Sequence, residues 1–420
     1  MKKVFVICMI VLILAGCKAT GSQDDPEQKE YKKLSFGAIG GVLDDLQKTI
    51  GNAFPNYDVT YVNLIPDQIE TLYEQKTLPD IILDIDSITI PPHLRDKIIT
   101  DLNPYVNVGN VDLNRFVPSL LARNYGQKGE LYALPFVRNL NALFYNKAAF
   151  DASGIPYPTD GMTWDDVIQL ASRFSDSPNG LSYKGIDIIN GGGLLMLIDQ
   201  YKVTLLDPQS DQFKSSSELK EVLQKIRTVY EIPRNRPLEN ATPSMDGFVK
   251  DGTTAMLLCY QAYPILLGAA NKQDIDMVTF PRIDASSNMG AGSRASSLVI
   301  NRDSKEKKSA FEIISYLVSD EMQKKNIENA IGTVINDPPY LVDFGKNVAQ
   351  LQQKNLKALY EMDAPVLDKP SKYEWVAIQA AEPFLIELIM GTKSVDDVLS
   401  EMESSVNAAV IEAKVKEVEE

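Results

Sequence analysis

Histidine is almost absent from this sequence: His93 is the only one in 420 residues. A Ser-His-Asp or Cys-His relay would have to use that residue, and a zinc site with two histidines cannot be built. Cysteine is nearly as scarce, since Cys8, Cys17 and Cys259 are too few for a disulfide framework. Positive charge is short as well, with 42 Lys and Arg against 57 Asp and Glu, a net −15. Such a chain repels phosphate backbones, which excludes nucleic acid as a main partner. Beyond residue 16 there is no apolar run of the roughly 20 residues a membrane span needs. Gly191-Gly192-Gly193 lacks the Lys-Ser/Thr of a phosphate loop, and Gly290-Ala291-Gly292-Ser293-Arg294-Ala295 precedes a strand-like run where a dinucleotide loop would follow one. No cofactor is expected.

The first residues do carry a signal. Lys2 and Lys3 precede an apolar run from Val4 to Leu14, which is the layout of a secretory leader and too short to span a bilayer. The run ends Leu14-Ala15-Gly16-Cys17, which resembles a bacterial lipobox, in which the cysteine thiol takes a diacylglycerol. Residues 1–16 are thus expected to be a signal peptide, Cys17 the acylated residue, and 17–30 a flexible tether, since Lys18 to Glu30 has almost no apolar content. Cleavage removes Lys2 and Lys3, leaving 40 basic groups against 57 acidic ones, or −17. Cys259, in the apolar run Ala255–Cys259, is expected to be an inert core residue.

The remaining length suits two domains, and 44% hydrophobic residues supply a sizeable core. Strand-like and helix-like segments alternate from Tyr31 on. Leu34–Ile39, Asp58–Asn63 and Pro79–Asp86 read as strands, with helices through Val42, Leu46 and Ile50 and around Gln68–Gln75. That order predicts a largely parallel sheet covered by helices on both faces, with ligands gathering where strands end. Later helices are marked by their caps. Thr163-Trp164-Asp165-Asp166 precedes Val167, Leu170, Ala171 and Phe174 at helical spacing, Ser394 to Asp397 has the same form, and Ser304 precedes Phe311, Ile314, Leu317 and Val318. His93, in Pro91-Pro92-His93-Leu94, is expected in an exposed turn. Asp207 and Asp211 lack the glycine and glutamate of an EF-hand loop.

Several segments, in order, resemble the extracellular solute-binding proteins of ATP-driven importers, in particular the family that includes sugar-binding lipoproteins. Gly129–Phe136 resembles its G-x-L-Y-x-L-P element. Ala142–Lys147, Phe150, Gly154-Ile155-Pro156 and Thr163–Asp166 resemble Y-Y-N-K…F…G…P…T-W-D-E. Phe248–Met256 resembles F-x-x-G-x-A-A-M, and Ser296–Ile300 with the helix ending near Gln323 resembles a further family block. The resemblance implies an α/β fold of the type II periplasmic-binding-protein kind, with two α/β lobes joined by a multi-strand hinge and a ligand cleft between them. It places hinge crossings near 139–143, 278–282 and 333–336, lobe one at 31–140 and 283–333, and lobe two at 141–282 and 334–420.

The cleft should be lined by residues past strand ends and beside the crossings. Gly40 and Gly41 offer backbone N–H groups to a ligand oxygen, or simply a tight turn. Asp86, followed by Ser87, could accept two hydroxyl hydrogen bonds, or cap a helix. Arg138, followed by Asn139, could fork onto a carboxylate, phosphate or vicinal diol, or bridge the lobes. Tyr260, Gln261 and Tyr263 stand where the family often has G-P-W. Tyr263 then keeps an aromatic platform, although no glycine precedes it. Gly292, Ser293 and Arg294 would face the solute from a glycine-rich edge, and Trp375 is either a platform or interdomain packing. Trp164 is assigned to structure.

The function implied is a monomeric, lipid-anchored receptor on the outer face of the cytoplasmic membrane, which clamps a carbohydrate and hands it to the transmembrane subunits of an ABC permease. Two other readings stay open from sequence alone: a ligand-presenting partner of a membrane sensor kinase, whose fold would be the same, and a cell-surface carbohydrate-active enzyme using paired carboxylates.

Overall fold

A computed structural model describes residues 31–39, 44–65, 68–85, 90, 92–126, 128–176, 183–188, 192–237, 245–259, 274–292, 294–366 and 369–419. In these residues nine strands form two sheets: β1 (Lys32–Ile39), β2 (Tyr57–Leu64), β3 (Ile81–Ile85), β4 (Leu134–Arg138), β5 (Leu143–Asn146), β6 (Lys184–Ile188), β7 (Thr254–Leu258), β8 (Ile275–Val278) and β9 (Ala295–Ile300). The first sheet has the order β2-β1-β3-β9-β4 and the second β6-β7-β5-β8. The anticipated parallel unit is present as β2-β1-β3, joined through helices α1 (Asp44–Ala53) and α2 (Ile69–Glu74). The sheet is mixed beyond it. β9 returns from far along the chain and inserts antiparallel between β3 and β4, an arrangement that no local pattern announces.

The strands alternate between two faces because successive side chains point to opposite sides. In the first sheet Phe36, Ile81, Leu83, Leu298 and Ile300 enter one core with α4 (Asn103–Val108) and α5 (Pro118–Ala122), while Ile82 and Val299 enter another with α3 (Pro92–Ile98). In the second sheet Leu143, Tyr145, Met256 and Leu258 face the largest core. That core is shared with α6 (Lys147–Ser153), α7 (Trp164–Ser172), α8 (Gly192–Gln200) and α9 (Ser217–Glu231). Phe144, Leu257, Cys259 and Met277 face the other side, where α10 (Asp246–Val249) contributes Phe248. Each aliphatic side chain buried in this way contributes roughly 1.5–3 kcal/mol.

Four helices follow β9 among the described residues: α11 (Lys307–Leu317), α12 (Asp320–Glu328), α13 (Glu374–Met390) and α14 (Val395–Glu419). α11 packs on the first sheet's core, and α13 and α14 on that of the second. α12 has a foot in each, Met322 in the first and Ile327 in the second.

Two of the helix starts read from sequence are built as expected, while the helix after Ser304 begins only at Lys307, with Glu306 before it and no side-chain cap. Thr163 and Asp166 form a reciprocal capping box on α7, and Ser394 and Asp397 exchange equivalent bonds before α14. Trp164 is fully buried, edge-on to Phe280, and donates to Gln200 Oε1 at 3.0 Å. His93 differs from expectation. It lies inside α3, 9% exposed, with Nε2 3.4 Å from Glu70 Oε1, because Pro92 is the first residue of a helix here. The two carboxylates in the 207–211 segment have protein partners: Asp207 caps its own turn through Ser210, and Asp211 pairs with Lys414 and Ser371.

Three chain passages join the sheets. The first, residues 139–142, is the direct step from β4 to β5. The second is longer. After Val278 the chain stays against α8, where Gln200 Nε2 donates to Pro281 O and Met289 O at 2.8 and 2.9 Å, and it reaches the first sheet only at Ala295. The third runs through Thr333 and Val334. Gln323, wholly buried, donates to Phe136 O and accepts from Thr333 Oγ1 and Val334 N, which ties this passage to β4. Gly332 is required there, since a Cβ would lie 2.1 Å from Arg138 O. No helix among the described residues is long and apolar enough to cross a membrane.

Candidate functional site

Where the two halves face each other lies a cavity of about 400 Å³. One wall comes from α3 and the segment after α5, including Arg95, Arg123 and Tyr132. The other comes from the end of α8, the start of α13 and the tip of α14, including Asp199, Glu374, Trp375 and Glu417. Arg294, at the root of β9, lies where the walls meet.

Asp199 is placed by its neighbour. Gln200 is held by the Trp164 indole and by two carbonyls of the second passage, so the end of α8 is pinned and Asp199 points into the junction. Its carboxylate, 2% exposed, accepts both arms of Arg294, from Nε at 3.2 Å and Nη2 at 3.3 Å. Arg123 approaches from the opposite wall, with Nη2 at 3.1 Å from Oδ2. Gly292 makes this approach possible, because a Cβ there would stand 2.0 Å from Asp199 Cβ. Asp199 therefore joins the halves through a two-guanidinium bridge.

Glu374 opens α13 beside this group and accepts from Leu205 N at 2.5 Å and Leu206 N at 3.2 Å. Burial pushes its pKa up to about 7. The two N–H groups and nearby Arg294 oppose the shift, and Asp199 adds to it. Trp375 follows, packed on the second sheet's core and lining the cavity.

Of the residues singled out from sequence, the structure gathers Arg294 and Trp375 at the cavity wall, with Gly292 against Asp199. Asn139 lies in the first hinge passage. Its N–H donates to Arg294 O at 2.8 Å, and its Nδ2 is buried without a partner. Two residues on, Asn141 donates to Gly292 O at 3.1 Å and keeps a buried, unpartnered Oδ1. Arg138 does not line this cavity. Its guanidinium lies over the Tyr360 ring, 5.9 Å from the centroid, and burial lowers its pKa. Arg294 also departs from expectation in being 5% exposed and engaged with Asp199. Cys17, Gly40, Gly41, Asp86, Ser87, Tyr260, Gln261, Tyr263 and Ser293 lie outside the described residues.

Arg95, Arg123, Asp199 and Glu374 were not singled out from sequence. Asp199-Gln200 did carry a usable signal, as a polar pair closing the apolar run Leu194–Ile198. Arg95 and Arg123 had none, since nothing local tells a cleft arginine from a surface one.

The family model described as bacterial extracellular solute-binding protein matches residues 40–324. Among solved structures, the chain is similar to an ABC substrate-binding protein from Listeria monocytogenes in complex with cycloalternan, at 16% identity and TM-score 0.71, covering 90% of this chain and 99% of that one. It is similar to the sugar-binding protein MalE from Xanthomonas citri at 17% identity and TM-score 0.68, covering 93% and 100%. A cyclic alpha-maltosyl-1,6-maltose binding protein from Arthrobacter globiformis matches at 14% identity and TM-score 0.69, covering 90% and 99%. At these identities the likeness is one of fold.

Proposed function

Since the chain belongs to the bacterial extracellular solute-binding proteins, we propose that it is a lipid-anchored receptor that clamps a saccharide between its lobes and delivers it, unchanged, to an ABC permease. The observation that carries this reading is the cavity whose two walls come from different lobes and meet at the hinge. A solute touching both walls favours the shut arrangement by its differential affinity for it, and the permease can then recognise closure. Sugars are the solutes named for the similar proteins from Listeria and Arthrobacter, and Trp375 offers an apolar ring face beside polar groups, which is what a sugar ring needs.

In this reading lobe one is 31–140 with 294–333 and lobe two is 141–292 with 334–420, the second crossing lying later than the sequence places it because residues 281–289 stay against α8. The leader is removed and Cys17 carries the lipid, so the body stands outside the cytoplasmic membrane as a tethered monomer. Gly40, Gly41, Asp86, Ser87, Tyr260, Gln261, Tyr263 and Ser293 are the further residues proposed to contact the solute. Asn139, in the hinge passage beside Arg294, is a further proposed contact.

The test is thermal melting of the mature chain against a panel of mono- and oligosaccharides, with chromatography of the recovered sugar. A binding solute at about a hundredfold over its Kd stabilises by about 2.7 kcal/mol, which appears as a concentration-dependent rise in melting temperature. The recovered sugar should be intact. Melting unaffected by every sugar, or a cleaved product, contradicts the reading.

A further inference from the structure

The charges around the cavity are unevenly satisfied. Its acids all have partners. Asp199 accepts from Arg294, Glu374 from two backbone N–H groups, Glu417 from Lys372 and Tyr373, Asp96 from the Tyr132 hydroxyl, and Glu130 from Lys128 N. Its guanidiniums do not fare as well. Arg123 reaches one oxygen of Asp199, which Arg294 Nε already occupies. Arg95 donates to Ile90 O at 3.3 Å, and its Nε is buried with no partner. A guanidinium has five N–H donors in a fixed fork, so both arginines on the lobe-one wall hold unused donors beside the cavity.

In a chain with 57 acidic residues, that Arg123 and Arg294 share one carboxylate while Arg95 donates to a backbone carbonyl needs a reason. Closure removes water and raises the cost of unmatched charge. Arg123 and Arg294 then have between them Asp199 and a Glu374 that burial holds close to half-protonation at neutral pH, while Arg95 feels the charges of Asp84 and Asp96. Hydroxyl groups of a neutral sugar could take the spare N–H groups but would leave the positive charge unmatched. A carboxylate does both, and its two oxygens fit the guanidinium fork.

Resting on the receptor reading above, we propose that the solute is an acidic saccharide whose uronic carboxylate is held by Arg123 and Arg95 on the lobe-one wall. Arg294 is the positioning partner in this arrangement. It occupies Asp199, which in turn holds Arg123 at the cavity edge.

The experiment is calorimetric titration of the mature chain with matched pairs of probes: glucuronate against glucose, galacturonate against galactose, and the corresponding disaccharides. For the bound ring type the acid should bind roughly tenfold to a hundredfold tighter than its neutral counterpart, the worth of a charge-assisted hydrogen bond, and the advantage should shrink as salt is raised. Arg123→Gln should bring the pair to within a few-fold while Arg294 keeps Asp199 paired. If that variant fails to fold, Arg95→Gln makes the same test. A neutral sugar binding as tightly as its acid overturns this inference and leaves the receptor reading standing. Acid preference that survives in both variants overturns the assignment to these arginines. Binding of neither series overturns both.

Discussion

Replacing Asp199 with alanine should cost about 3–5 kcal/mol of folding stability, because it leaves Arg294 and Arg123 in a nearly water-free junction with no carboxylate between them. Arg294 is 5% exposed and Asp199 2%, so water from the adjoining cavity can replace few of the lost contacts. Asp199 belongs to the second half and Arg123 to the first, so part of this cost should appear as easier separation of the lobes. The comparison that gives the number meaning is Asp165→Ala. Asp165 pairs with Lys225 at 3.0 Å, but its side chain is 88% exposed, and exposed pairs are worth about 0–1 kcal/mol. Urea unfolding of both variants beside the parent protein measures the difference. Equal, small losses would mean that the bridge at Asp199 is only incidental to stability.

Glu374→Gln should flatten the dependence of stability on pH. The Glu374 carboxyl titrates near 4.5 in the unfolded chain and near 7 when folded, with burial as the main cause. Between these values the folded chain keeps a proton that the unfolded chain has released. This group therefore lowers stability as pH rises through the window, by about 3 kcal/mol once pH passes 7, and contributes nothing below 4.5. Glutamine has no proton to lose and can still accept from one of the Leu205 and Leu206 N–H groups. Parent and variant should differ little at the acid end, and the variant should gain relative stability up to pH 8. Parallel stability curves across that range would place the Glu374 carboxylate in contact with solvent.

What the sequence reveals and what it hides follow from the range of the interactions. The β1 alternation of Leu34, Phe36 and Ala38 and the Thr163–Asp166 capping box are decided within a few residues, and both stand where the local pattern puts them. The insertion of β9 between β3 and β4 is decided by pairing Ile81 with Ile300 and Leu134 with Leu298, contacts that no window along the chain contains. The bridge at the cavity is harder still, since residues 123, 199 and 294 meet only after both sheets have formed. Arg138, read as either a ligand contact or a bridge between lobes, takes the bridging place. Its place after Pro135-Phe136 correctly puts it beside the hinge, yet strand register decides which way the side chain points, and it covers Tyr360. His93 misled because proline serves as the first residue of a helix as well as in a turn, and Pro92 opens α3.

Lobes that close on a saccharide should make the molecule measurably smaller, and small-angle X-ray scattering of the mature chain reads this directly. With a sugar that raises the melting temperature, the radius of gyration should fall as the sugar is added, saturate at the same concentration as the thermal shift, and recover when the sugar is dialysed away. Superimposable scattering curves with and without that sugar would contradict the account, because binding would then involve no movement of one lobe against the other.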